Sequence, residues 1–310
     1  MVSLIKIYKD FNIKKNHKDS IILIGNFDGV HLGHQRLFTL AKKYKRKYSL
    51  KIGVLTFEPM PKMYFNHKLK NFRILSLNQK INLLKKNSVD FVITKKFTKK
   101  FSKTSSINFI NKVLGKKLNP KFIFVSNNFR FGNKREGDVR QLIKYESICN
   151  YKIVKPQPLL INKKIVSSSL IRIFLQDGKL NKANDFLNRN WCIEGRVQKG
   201  RQLGKKIGFP TANIDIKNYV LAKPGVYAVK VRRQNSSKYI KGIANLGYRP
   251  TFHQKKILLE VHLFNFSGNL YNKHLTVEFL KFIRSEKKFK NVDQLKKQIK
   301  IDLVVAKKIK

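Results

Sequence analysis

"SIILIGNFDGVHLGHQRLFTLAKKYKRKY", residues 20–48, is the stretch on which the fold turns. Its apolar opening, Ser20 to Gly25, reads as a buried strand, and residues 33–48 place Leu37, Leu40, Ala41 and Tyr44 along one helical stripe. Glycines crowd the residues between, so the segment is a strand, a tight turn and a helix. The same alternation continues outward. KIGVLTF (51–57), DFVIT (90–94), KFIFVS (121–126) and YKIVKP (151–156) read as further strands. Ser76 precedes Leu77, Ile81 and Leu84 at helical spacing, and Ser105 or Ser106 precedes Ile107, Ile110 and Leu114 as the inward face of the next helix. Strands alternating with helices predict an α/β domain with a doubly wound parallel sheet.

Beyond residue 187 the pattern changes. GVYAVKV (225–231) and KYIKGIANLG (238–247) flank Asn235-Ser236-Ser237, and LLEVHLFNF (258–266) and HLTVEFLKFI (274–283) flank SGNLYNK. Both pairs alternate with period two and are predicted hairpins of a small antiparallel β-barrel. In the closing segment, residues 291–310, Leu295, Ile299, Leu303 and Ala306 fall on one helical face that could seal the barrel. The expected division is therefore 1–187 and 188–310, each long enough to fold around its own core.

Composition narrows the function. With 42% hydrophobic residues the chain has the material for a core, and disorder is excluded. The formal net charge of +51 invites a polyanion partner, but only 14 of the 68 basic residues are arginine and the lysines are spread along the whole chain. A coding bias toward Lys, Ile and Asn accounts for that spread, so no dedicated nucleic-acid partner is expected. Cys149 and Cys192 stand alone, without C-x-x-C spacing, which points to a reduced, cytoplasmic setting. No apolar run approaches the ~18 residues of a membrane span.

The turn itself carries chemistry. In a doubly wound sheet ligands bind beyond the carboxyl ends of the strands, and the first strand-to-helix turn offers backbone N–H groups and a helix dipole to a phosphate. Gly25, Gly29 and Gly33 let the backbone approach a ligand, and His31 and His34 at the helix start can donate to phosphate oxygens. The glycine spacing is not the G-x-G-x-x-G of dinucleotide binding.

GNFDGVHLGH (25–34) resembles the first motif of the bacterial bifunctional riboflavin kinase/FAD synthetase family, a branch of the H-x-G-H nucleotidyltransferases. TFEPMPKMYF (56–65), VSNNFRFGNKREGD (125–138) and VSSSLIR (166–172) are similar to that family's later segments. GKKIGFPTAN (204–213), GIANLGYRPTF (242–252), LEVHLFNFSGNLY (259–271) and FLKFIRSEKKF (279–289) are similar to its riboflavin kinase module. The resemblance implies an FMN adenylyltransferase domain at 1–187 and a riboflavin kinase domain at 188–310, with riboflavin, FMN and ATP as substrates and Mg²⁺ as cofactor.

It also implies residue roles. His31, His34 and Arg172 would contact the ATP phosphates of the adenylyl-transfer step, with Gly25, Phe27, Asp28, Asn128, Ser168 and Ser169 binding nucleotide. In the kinase half Gly204 and Gly208 would bind nucleotide, Thr211 and Asn213 would hold Mg²⁺, Glu260 would act as base, and Arg284 and Phe289 would contact flavin. On an alternating strand Glu260 points opposite to Leu259 and Val261, which by itself describes a solvent-facing residue. Three positions depart from the family pattern: Met60 for a common His, Ser126 for a common Gly and Ser169 for a usual Thr. Ser169 keeps the hydroxyl, whereas Met60 is expected to remove a polar contact and Ser126 to add bulk beside the nucleotide loop. The rival readings are an H-x-G-H enzyme acting on tRNA, since KFSKT (100–104) mimics a K-M-S-K-S loop, and a basic RNA-binding barrel. KFSKT lies in a helix-start pattern, and the second half has no anticodon-binding helical bundle.

Overall fold

A computed structural model describes residues 5–200, 202–216, 218–234, 236–250 and 255–309. Its contacts divide the chain into two compact units, residues 1–70 with 77–167, and residues 71–76 with 168–310. The units therefore part at 167/168, whereas the sequence pattern changes at about 187.

The first unit is built on a six-stranded sheet: β1 (Lys6–Tyr8), β2 (Ile21–Ile24), β3 (Ile52–Glu58), β4 (Phe91–Lys96), β5 (Phe122–Phe124) and β6 (Lys152–Val154). The order is β1-β4-β3-β2-β5-β6, every neighbouring pair parallel. β2 is buried along its whole length, which is why it reads as an unbroken apolar run. Its neighbours are β3 on one side and β5 on the other, so the winding reverses at β2 and a ligand crevice opens beyond its carboxyl end. The predicted doubly wound parallel sheet is thus present. β1 was not expected. It is three residues long with only Tyr8 buried, too short for a period to show.

Two helical faces differ from expectation. In α1 (Leu32–Tyr48) the fully buried side chains are Phe38 and Ala41, while Leu37, Leu40 and Tyr44 are half-buried, so the stripe is rotated toward Phe38. In the helix that starts at Ser106, Ile107 is 49% exposed, and Phe109, Ile110, Val113, Leu114 and Leu118 face the core. From Phe109 to Leu118 the chain winds as a π-helix, with Asn119 N–H bonded to Leu114 O at 2.8 Å, and Ile110 and Leu114 within it are buried as expected. Ser105 caps this helix by accepting from Asn108 N–H at 3.2 Å.

The second unit holds a closed antiparallel barrel of β7 (Cys192–Gln198), β8 (Ala212–Asp215), β9 (Gly225–Arg233), β10 (Ile240–Pro250), β11 (Lys255–Leu263) and β12 (His274–Ser285). The order around it is β7-β8-β11-β10-β9-β12. β9 and β10 form the expected hairpin, although Asn235 of its turn lies outside the described residues. The second expected hairpin is absent: β11 pairs with β8 and β10, and β12 with β7 and β9. The connection through residues 264–273 is too long to fix its flanking strands as neighbours, and barrel closure gives each a different partner. Two helices, α3 (Ser168–Gln176) and α4 (Leu180–Leu187), precede the barrel and meet through Phe174 and Phe186, whose rings lie 5.2 Å apart edge to face. Residues 71–76 belong with this unit: Arg73 N–H donates to Asn218 O at 2.8 Å, and the buried Trp191 indole donates to Ile74 O at 3.1 Å.

The last helix, α5 (Val292–Lys307), is capped by Asn291, which accepts from Gln294 N–H. Ala306 and Leu303 pack on Val226, Ala228 and Ile243 of the barrel. The predicted stripe therefore splits in use, since Leu295 and Ile299 line a cleft instead.

Candidate active sites

In the first unit the chain leaves β2 at Gly25 and makes a turn in which Phe27 (φ 47°), Gly29 (φ 89°) and Val30 (φ 40°) all adopt the left-handed region. Two non-glycine residues there mark a turn held by its surroundings. His31 is the residue before α1, 6% exposed, and its ring stacks on that of His34 with centroids 3.7 Å apart. His34 in turn lies 5.0 Å from the Phe27 ring. A Cβ on Gly33 would meet the His31 ring at 3.2 Å, a tight contact that the glycine avoids. Asp28 is buried at 4% exposure beneath the turn. Asn128 lies in the loop after β5, at the same carboxyl edge of the sheet, and its Oδ1 accepts from the Ser126 hydroxyl at 2.9 Å. The extra bulk of Ser126 is thus an orienting contact on Asn128. Met60 is 2% exposed, so its thioether fills interior space.

Ser168, Ser169 and Arg172 open α3 and are counted with the second unit. Arg172 Nε donates to Phe72 O at 2.7 Å, and its guanidinium lies 3.7 Å from the Phe72 ring centroid. Stacking and hydrogen bond together hold the planar fork in one orientation.

The barrel carries a cleft of about 450 Å³ that gathers most of the sequence-predicted kinase residues: Gly204, Thr211, Asn213, Glu260, Arg284 and Phe289. Leu259 and Val261 are buried in the barrel, so Glu260 points the other way, into the cleft. Across the ladder Asn213 stands directly opposite Glu260, and Asn245 opposite it on the other side. The two amides and the carboxylate therefore form a row on one face of the sheet. Asn213 is 6% exposed, and its Oδ1 has no hydrogen-bond partner among the described residues. A Cβ on Gly200 would come within 2.1 Å of Asn213 Nδ2, and one on Gly204 within 2.4 Å of Phe209 O, so a side chain at either position would collide with its neighbour. Gly208, at φ 91°, makes the turn between Ile207 and Phe209, which line the cleft while Gly208 itself does not.

Arg284 is in the cleft wall, yet its guanidinium is engaged with Asp302, with Nη2 to Oδ2 at 2.7 Å. Phe289 lies 5.9 Å from it. Sequence reasoning missed Asn245 and His262, which also line this cleft. The alternation that points Glu260 outward also points His262, two residues on, to the same face. Among the described residues no group of three or more His, Cys, Asp or Glu side chains could hold a metal, and Thr211 and Asn213 bring neutral side-chain oxygens to this cleft.

The family model for FAD synthetase matches residues 13–170, and that for riboflavin kinase matches residues 187–310. A bifunctional riboflavin kinase/FMN adenylyltransferase of Buchnera aphidicola subsp. Schizaphis graminum is 39% identical over 300 residues, 96% of each chain. The chain belongs to the bifunctional riboflavin kinase/FMN adenylyltransferase family. The Escherichia coli K12 member is 38% identical over 286 residues, 92% of this chain and 91% of that one. A crystal structure of a Streptococcus pneumoniae protein described as a macrolide-efflux protein shares the fold at a TM-score of 0.87 and 29% identity, covering 98% of this chain and 99% of that one. Among the described residues no helix is long and apolar enough to cross a membrane. The N-terminal part of this family carries the adenylyltransferase activity and the C-terminal part the kinase activity.

Proposed function

We propose that residues 188–310 phosphorylate riboflavin at the barrel cleft and that residues 1–187 adenylylate the product at the turn after β2. The observation that carries the kinase assignment is the row of Asn213, Glu260 and Asn245, with the Asn213 Oδ1 buried and unpaired among the described residues. Glu260 accepts the proton of the riboflavin 5′-hydroxyl as that oxygen attacks the γ-phosphorus of ATP and ADP leaves. An orphaned amide oxygen beside a threonine hydroxyl fits Mg²⁺, a hard cation that takes neutral oxygens and keeps phosphate and water for its remaining positions. Thr211 and Asn213 are the residues that would hold it, and it would supply charge neutralisation at the ATP phosphates.

In the adenylyl-transfer step a phosphate oxygen of FMN attacks the α-phosphorus of ATP and pyrophosphate leaves. No covalent enzyme intermediate is required, so the protein's work is positioning two anions and stabilising the charge that develops between them. His31, His34, the amides of the 25–31 turn and Asn128 supply donors from the first unit. The absence of C-x-x-C spacing at Cys149 and Cys192 supports a cytoplasmic setting.

One assay tests both halves: riboflavin, ATP and Mg²⁺ with the full chain, FMN and FAD separated as products. Glu260→Gln lowers FMN formation by about 10²-fold or more, the scale of a lost general base, while added FMN still becomes FAD. His31→Ala stops FAD formation and leaves FMN formation intact. Loss of both activities from either change in a folded protein overturns the two-site reading.

A further inference from the structure

Lys80 sits in α2 (Leu77–Lys86) at 3% exposure, in a chain whose other lysines are overwhelmingly solvated. A buried ammonium requires oxygen partners, and the structure provides them from β3 and from the turn after β2. Lys80 Nζ lies 3.2 Å from Asn26 O, 3.2 Å from Thr56 Oγ1 and 3.4 Å from Glu58 Oε1. Thr56 is fully buried and donates weakly to the same Asn26 carbonyl at 3.4 Å. The ammonium therefore joins β3 to the turn after β2, and it grips that turn at the peptide immediately before Phe27, the first residue with positive φ.

We propose that Lys80 is a positioning residue for adenylyl transfer: it fixes the Asn26–Phe27 peptide so that the Phe27 N–H is presented on the outer side of the turn, toward the nucleotide phosphates. The geometry follows from planarity. In a trans peptide the C=O and N–H point in opposite directions, so a carbonyl drawn inward to Lys80 sends the next N–H outward. Left-handed φ at Phe27 and Val30 is unfavourable for non-glycine residues, and such conformations persist only where the surroundings impose them. Glu58 balances the charge, while Thr56 and Lys80 together saturate the Asn26 carbonyl. The proposal rests on the reading of this turn as the phosphate site.

The test uses the full chain and two variants. Lys80→Arg keeps the cation beside Glu58 but replaces a point charge by a longer planar fork. The double variant Lys80→Met with Glu58→Gln removes both charges, leaving no buried carboxylate without its cation. The expected result is a kcat for FMN to FAD lowered about tenfold in Lys80→Arg and about 10²-fold in the double variant, the scale of a sub-ångström to ångström misplacement, with the KM for ATP changed less than threefold. Riboflavin phosphorylation by the same preparations is unchanged, and the unfolding midpoint of Lys80→Arg stays near that of the wild type. Wild-type FAD formation in either folded variant overturns the proposal and leaves Lys80 as a structural counter-ion. His31→Ala is run beside them: should it retain FAD formation, the reading of the turn itself fails, a result distinct from failure of Lys80 alone.

Discussion

Arg284 and Asp302 form a two-pronged ion pair across the cleft wall, with Arg284 Nε 2.9 and 3.0 Å from the two Asp302 oxygens and Nη2 2.7 Å from Oδ2. The side chains are 16% and 4% exposed, and Gln298 Nε2 donates to the same carboxylate at 2.9 Å. The pair ties the end of β12 to α5, and both elements contribute to the cleft through Arg284, Leu295 and Ile299.

Asp302→Ala should therefore act on stability and on flavin binding together. Removing one partner of a buried pair strands the other charge, at a cost of about 3–5 kcal/mol. Chemical denaturation measures the loss, and steady-state kinetics should show a raised KM for riboflavin with FMN adenylylation unaffected. Asp302→Asn, which keeps one acceptor for the guanidinium, should fall between the two. Equal riboflavin KM in the alanine variant and the wild type would detach this pair from the site.

Met60 provides a second test, because its side chain is buried at 2% exposure. Met60→His places an imidazole in the interior, with an unsatisfied polar group costing roughly 1–3 kcal/mol. Its FAD formation should not exceed that of the wild type, and its unfolding midpoint should drop. Met60→Leu, close in volume, should cost under about 1.5 kcal/mol. Faster FAD formation in the histidine variant would show that residue 60 reaches the nucleotide after all.

These two residues show where sequence stops being enough. The turn at 25–34 was legible because a buried parallel strand, a glycine cluster and a helical run leave few alternatives, and the winding reversal at β2 follows from it. Glu260, Thr211 and Asn213 were singled out only through their segments' resemblance, and the barrel brings all three to one cleft, with Glu260 turned away from the buried Leu259 and Val261 as alternation predicts. Strand pairing in the barrel was not, since local turn length sets a partner only in tight hairpins. The π-helical winding of 109–118 carries no local pattern, and Ile107, just before it, is exposed although its helical spacing put it with Ile110 and Leu114. Lys80 was invisible as one lysine among many. Only the tertiary approach of Asn26, Thr56 and Glu58 sets it apart.

The last prediction concerns Glu194 on β7, opposite Thr276 on β12. Burial is the largest influence on its carboxyl and pushes its pKa up, against the positive charges of His274 and Arg232 and a hydrogen bond from the Thr276 hydroxyl. A carboxylate whose pKa is higher folded than unfolded holds its proton more tightly in the native state. Its effect on stability is then favourable only in acid and is lost as pH rises from the ordinary carboxylate range through the raised value. At neutral pH the ionised Glu194 is a net cost to the barrel. Glu194→Gln keeps an acceptor for Thr276 and removes that cost, so it should raise the unfolding midpoint at pH 7.5 and lose the advantage as the pH falls below 4.5. Trp191 is the only tryptophan of the chain and lies buried in the second unit, so its fluorescence follows the unfolding of the unit that contains Glu194. A gain that is the same at both pH values would show that the carboxylate's charge is not what the glutamine relieves.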